Sequence, residues 1–198
     1  SFAGQNKDIA AIDSVSLYAE HPPQQSGNHL PQAMYDPYLV PQHRLEYQSR
    51  GAKIKNPEIR TLEGKPANIL CRGEKYLYRY RVYFSQAASK VCFGMLIKTV
   101  SGYKLGGTSS HVPAEAIDHI PAQSLIDVEF EFSCTLLPGT YFLNAGVVGQ
   151  VDGEPVFLDR AIDAAIFKVQ SESGLKATGT VDFNIASKIM ATSPMTQT

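Results

Sequence analysis

Leu125-Ile-Asp-Val-Glu-Phe-Glu-Phe132 alternates without a break: Ile126, Val128, Phe130 and Phe132 are apolar, and Asp127, Glu129 and Glu131 stand between them. A period of two over such a run marks a β-strand with one face buried and the other in water. KYLYRYRVYF, residues 75–84, repeats the pattern. Tyr76, Tyr78, Tyr80, Val82 and Phe84 share one face, and Leu77, Arg79, Arg81 and Tyr83 share the other. If these two strands are neighbours, as in an immunoglobulin-like order, Arg79 and Arg81 meet the acids of the first stretch. Such a solvated ladder of opposite charges is worth a few tenths of a kcal/mol per pair. The competing reading of the arginines is an anion-binding patch.

Working outward, AKIKNPEIRTL (Ala52–Leu62) reads as an earlier strand, with Pro57 marking an edge position or a bulge, and Glu63-Gly64 as its turn. Pro138-Gly139 turns the chain before Tyr141, a placement that resembles the tyrosine corner of immunoglobulin-like sandwiches. Asp152-Gly153 is a hairpin signal, and Ala161–Gln170 is the strand after it. Ser171–Gly174 forms a flexible joint, and Ala177–Asn184 a last short strand. Many short strands, no convincing long helix and turn residues at each junction predict an all-β, immunoglobulin-like antiparallel sandwich over residues 51–186.

The flanks differ. Residues 1–50 form a proline-rich linker or N-terminal extension. Within it Pro22, Pro23, Pro31, Pro37 and Pro41 oppose helix and central strand alike. Ile9–Tyr18 is a short helix or strand, and Tyr35, Tyr38 and Leu39 are expected to pin the extension to the sandwich. Residues 187–198 are read as a flexible tail.

Composition narrows the function. With 18 basic and 19 acidic residues the net charge is −1, so no overall field recruits nucleic acid. No apolar run approaches the roughly 20 residues of a membrane span. The three cysteines, Cys71, Cys92 and Cys134, read as reduced thiols of a cytoplasmic protein, with a Cys71–Cys134 bridge as the alternative. The string Gly102–Thr108 lacks the lysine of a P-loop and sits between strands, so it is a hairpin and not a nucleotide cradle. The five histidines are scattered, His111 and His119 around Asp118 included, which gives no metal set. Ser110 beside His111 lacks the strand–turn–helix setting of a nucleophile. No catalytic residue, cofactor or metal is expected.

What remains is a surface. If Val91, Phe93, Met95 and Ile97 face the core, Cys92, Gly94, Leu96 and Lys98 face out. In the same way Phe142, Asn144, Gly146 and Val148 oppose Tyr141, Leu143, Ala145 and Val147, and Ala164, Ile166 and Lys168 oppose Phe167 and Val169. Small residues let a ligand lie close, Phe142 offers a flat apolar ring, and Asn144 offers a paired donor and acceptor. These two residues are expected to serve binding and not folding. The other reading is a face covered by the linker or by a partner subunit. Tyr103, with Lys104 and His111, gives a second candidate at the end of the sheet.

Gly73-Glu74 before a strand, FGMLIKTVSG (93–102), the Leu-Pro-Gly-Thr-Tyr corner (137–141) and Phe167-Lys-Val169 resemble the C-terminal, polysaccharide-recognising domain of Wzt, the ATP-binding component of O-antigen ABC exporters. The resemblance covers about residues 50–184 and departs from the family in KTVSG, which lacks an aspartate often found in that turn. It implies a sandwich that binds the completed O-antigen polysaccharide, including an end cap, in the cytoplasm at the inner membrane. It further implies a homodimer with the last strand exchanged, an ATP-binding domain in the same parent chain and a membrane subunit as partners. A structural, oligomerising sandwich without a ligand is the alternative class.

Overall fold

In the computed structural model, which describes residues 32–190, the period-two segments become the strands of two packed sheets. The expected element over Ile9–Tyr18 and the end of the tail, residues 191–198, lie outside the described residues. The strands are β1 (Leu45–Glu46), β2 (Ala52–Thr61), β3 (Ile69–Leu70), β4 (Lys75–Phe84), β5 (Ala88–Thr99), β6 (Lys104–Ser109), β7 (Ile117–Ile120), β8 (Ser124–Ser133), β9 (Gly139–Val151) and β10 (Glu154–Val169). A single turn of 3-10 helix, Pro113–Glu115, precedes β7. The larger sheet runs β1-β10-β9-β5-β6, with β3 on β10 and β7 on β5; the smaller runs β2-β4-β8. The chain is therefore an all-β, immunoglobulin-like sandwich.

The tyrosine strand β4 explains why the sheets hold together. Tyr76, Tyr78, Tyr80, Val82 and Phe84 are each no more than 2% exposed and face Leu143, Val147, Phe93 and Phe167 of the other sheet. Fully burying one such side chain contributes about 1.5–3 kcal/mol. Two of the three buried phenols have a hydrogen-bond partner, and Tyr78 Oη has none among the described residues. Tyr76 Oη accepts the Cys71 N–H at 2.8 Å, and Tyr80 Oη reaches carbonyls of the opposite sheet. Burial pushes all three phenols above their ordinary titration range.

On the other face of β4 the charge ladder forms in the expected register. Arg79 pairs with Glu129 at 3.0 Å, Arg81 with Asp127 at 2.9 Å and Lys75 with Glu131 at 2.7 Å. All six side chains are well solvated, so the ladder decorates an exposed face, beside a hollow of about 500 Å³ that Arg79, Arg81 and Asp127 line with Asn56, Glu58 and Arg60. Pro57 does mark a bulge: β2 slips register between Lys55 and Glu58, with Asn56 at φ 49°. Tyr141 makes the corner, its hydroxyl donating to Leu137 O at 2.7 Å. Asp152 and Gly153, with φ 51° and 85°, turn β9 into β10. The strand after that hairpin begins at Glu154, seven residues before Ala161, and is 16 residues long.

Expectations for both flanks change in the structure. Residues of the segment read as linker join the fold: Met34 bridges Ile69, and β1 pairs with Ile162 and Ala161 of β10. Tyr35 and Tyr38 are exposed and do not pin it. Asn68 does, accepting the Asp36 N–H at 2.7 Å and donating to Asp36 O and Leu39 O. Residues 177–184 make no regular strand; Val181 forms one bridge, to Leu136 of the same chain. The cysteines are unbridged, and Cys71 and Cys134 are buried.

Candidate ligand groove

The outward face of the larger sheet carries a hollow of about 190 Å³ where β5, β9 and β10 run side by side. Gly94 and Gly146, paired across β5 and β9, form its floor, and Leu96, Asn144, Phe157 and Arg160 rise around it. Gly146 leaves room for a neighbour: a Cβ there would stand 3.3 Å from Phe157 Cε1, so its absence lets the phenylalanine ring come close to the sheet. Beneath the floor, Tyr80 Oη lies 3.1 Å from Gly94 O and 3.2 Å from Gly146 O, one phenol shared between both carbonyls. The floor is thus tied through the core to the opposite sheet.

Parity along β10 decides who lines the hollow. Phe157 and Arg160 are three residues apart, and in a regular strand they would point to opposite faces. A register shift between Phe157 and Asp159 inserts one residue, leaving Leu158 and Asp159 both buried and bringing Phe157 and Arg160 to one side. Asp159 is held by the smaller sheet, its Oδ2 accepting the Ile54 N–H at 2.7 Å. Arg160 then stacks its guanidinium 5.1 Å from the Phe157 ring centre and 5.9 Å from that of Tyr47. Tyr47 comes from the segment after β1, where its N–H donates to Arg160 O at 3.4 Å. Phe157, Arg160 and Tyr47 were not candidates from the sequence. The three consecutive apolar residues Val156, Phe157 and Leu158, which break the alternation before Asp159, are the signal the sequence carries.

A second irregularity, between Ala161 and Ala165, rearranges the residues that were candidates. Ala164 was expected to face outward, yet it is 5% exposed and packs in the core, because the extra residues of the bulge turn it inward together with Ala165. Asn144 is only 6% exposed, and its Oδ1 accepts the Asp163 N–H at 2.9 Å, where Asp163 has φ 54°. Its acceptor is engaged by the backbone, so Asn144 braces the bulge and serves folding as well as the groove. Lys98 pairs with Asp163 at 2.7 Å and sits 5.8 Å above the Phe142 ring. Ile166 lies opposite Phe142 in register, so Lys98, Phe142 and Ile166 form a second cluster further along the same face.

Gly94, Leu96, Asn144 and Gly146 therefore meet in one hollow, as the alternation predicts. Tyr103 does not. It is 73% exposed at the turn into β6 and borders a different hollow, with Arg72, Leu105 and the chain after Gly174. Lys104 pairs with Lys98 in register at the sheet edge, and His111 Nδ1 lies 2.8 Å from Ser110 Oγ in the loop after β6. Among the described residues no helix is long and apolar enough to cross a membrane.

Three comparisons bear on this geometry. The sequence profile of the Wzt C-terminal domain family matches residues 43–183. The crystal structure of the C-terminal domain of Wzt superposes with a TM-score of 0.67 at 22% identity, over 77% of this chain and 92% of that one, and so shares the fold. More distant are the alkylpurine DNA glycosylase AlkC of Pseudomonas fluorescens, bound to DNA containing an abasic site analog, and a CARDB domain from Pyrococcus furiosus. The first has a TM-score of 0.39 at 16% identity over 61% of this chain and 31% of that one; the second has 0.34 at 12% over 60% and 94%. No curated protein matches the sequence significantly.

Proposed function

The chain belongs to the Wzt C-terminal domain family, and on that premise we propose that it is a non-catalytic glycan-binding domain serving O-antigen export. It would recognise the completed polysaccharide, end cap included, in the cytoplasm. It would act beside an ATP-binding domain of the same parent chain and a membrane subunit, as a homodimer held by its C-terminal segment. The observation that carries the reading is the groove itself. A glycine floor at Gly94 and Gly146 lies beside a half-exposed Phe157 ring, with Arg160 at the rim. Carbohydrate sites need an apolar ring face for the sugar's C–H surface, close backbone approach, and polar groups at the rim.

A different observation favours the alternative of a purely assembling domain. Phe183, Ile185, Ile189 and Met190 are more than 70% exposed in the C-terminal segment, an apolar run that suits contact with another chain. The two readings separate in a saturation-transfer NMR titration of the full chain with O-polysaccharide extracted from the protein's own organism. The glycan reading expects transfer to the polysaccharide, weakened severalfold by Phe157→Ala and unchanged by Glu129→Ala on the ladder face. Stacking on one aromatic ring contributes on the order of 1 kcal/mol, which sets that severalfold scale. Absence of transfer, or transfer that responds to the ladder variant alone, overturns it.

A further inference from the structure

We propose that the hollow beside the charge ladder, on the exposed face of the smaller sheet, is a phosphate site in which Arg79 and Arg81 recognise the phosphoryl group. It lies on the sheet opposite the groove and does not rest on the glycan reading. In the sequence these two arginines read either as a ladder or as an anion patch. The structure lets them be both.

The hollow, of about 500 Å³, owes its existence to the bulge in β2. Lys55 stands opposite Arg81 and Glu58 opposite Arg79, so one extra residue is taken up between them, with Asn56 at φ 49°. The interrupted pairing leaves a space that Asn56, Glu58 and Arg60 border from β2, Arg79 and Arg81 from β4, and Asp127 from β8.

The three arginines are held differently. Arg60 is fully committed: Nε and Nη2 donate to Glu58 at 2.8 and 3.1 Å, and Nη1 donates to Gly64 O at 2.8 Å. Arg79 and Arg81 each meet a β8 carboxylate through Nε, at 3.0 Å from Glu129 Oε2 and 2.9 Å from Asp127 Oδ1. Their terminal nitrogens donate no hydrogen bond among the described residues, and the Asn56 carboxamide makes none either. A guanidinium steadied at Nε keeps its outer edge as a fork for an oxyanion and loses little freedom when one binds. Two such forks, two residues apart on one strand and so roughly 7 Å apart at Cα, offer more donors than one carboxylate accepts. The three terminal oxygens of a phosphate group match them. Charge there is near balance, because Glu58 and Asp127 face the three arginines and Glu129 lies beyond Arg79. Affinity therefore comes from geometry at a solvated site, and the expected dissociation constant is on the order of millimolar.

The test follows the Nε–Hε signals of Arg79 and Arg81 and the backbone amide of Asn56 by NMR in the full chain, at constant ionic strength. The probes are inorganic phosphate, glycerol 3-phosphate and acetate. Both phosphates should give saturable shifts, and acetate should bind at least about fivefold more weakly, the scale of one lost charge-assisted contact. Arg79→Lys and Arg81→Lys keep the charge and lose the fork, so each should weaken phosphate at least about threefold. The amide spectrum of each variant reports its fold, and either one alone decides. Phe157→Ala, in the groove, should leave the phosphate response unchanged. Retention on phosphatidylcholine vesicles carrying phosphatidic acid, absent without that lipid and lost in Arg81→Lys, assigns a lipid headgroup as the source of the phosphate. Saturation by glycerol 3-phosphate without such retention assigns a soluble ester. Shifts that grow without saturating, equal affinity for phosphate and acetate, or phosphate binding that survives the lysine variants would each overturn the proposal. Polysaccharide transfer, read with Phe157→Ala, tests the groove separately.

Discussion

Tyr80 belongs to the smaller sheet by its backbone and to the larger by its hydroxyl, and the groove floor hangs from that one atom at 3.1 and 3.2 Å. Residues of this kind are legible in part. The alternation of β4 predicted which face Tyr80 occupies, while the partner of its hydroxyl depends on where a strand distant in sequence passes. Cys134 shows the energetic side of the same burial. Its thiol is pushed up from 9.0 to about 11, chiefly by desolvation, so the folded state keeps a proton that the unfolded chain releases above pH 9. The associated stability is present in full below that value and is lost as pH rises toward about 11. Urea midpoints should therefore fall across this window, with Tyr76 and Tyr80, also raised by burial, adding to the fall at its upper end. Cys134→Ala should start lower and fall less steeply. A wild-type midpoint that stays level through the window would show that the thiol titrates in the fold as it does in the open chain.

Among the elements, β10 departs furthest from a regular strand, and its two bulges set the composition of the groove. Simple alternation placed Gly94, Leu96 and Gly146 correctly because β5 and β9 are regular where they pair across the floor. It passed over Phe157 and Arg160 because the one residue inserted at Leu158 reverses the parity between them, and it failed at Ala164 because the two residues inserted between Ala161 and Ala165 turn it inward while Ile166 and Lys168 keep their expected side. The second bulge depends on Asn144, whose Oδ1 takes the Asp163 N–H. Removing that acceptor leaves a part-buried donor unpartnered, at a cost of about 1–3 kcal/mol. Asn144→Ala should thus lower the unfolding free energy in urea by that amount, and its effect on ligand binding will include a displaced bulge. Tyr103→Ala, at an exposed turn, should stay within about 0.5 kcal/mol of the parent. Equal stabilities for the two variants would mean that the bulge holds without Asn144.

At the scale of the whole molecule, the sandwich core ends with Val169, and the chain beyond it is held by few contacts. Arg72 pairs with both Glu172 and Asp182, and the backbone of Leu137 and Asp182 bonds to Thr180 and Thr135. Past Asp182 the apolar side chains of Phe183, Ile185, Ile189 and Met190 face solvent. If this segment joins two copies, as proposed, deleting residues 177–198 should convert a dimer to a monomer in light scattering while leaving the β-sheet circular dichroism intact. A truncated chain that remains a dimer would move the interface elsewhere.

Sequence alone determined the all-β class, the core face of β4, the charge ladder and the tyrosine corner, because each follows from a local period or turn residue. The tertiary structure alone decided that Tyr47, Phe157 and Arg160 meet over two glycines and that Asn68 anchors the preceding segment. Those juxtapositions depend on strand register and on bulges, and these are set by how strands far apart in sequence pack against one another.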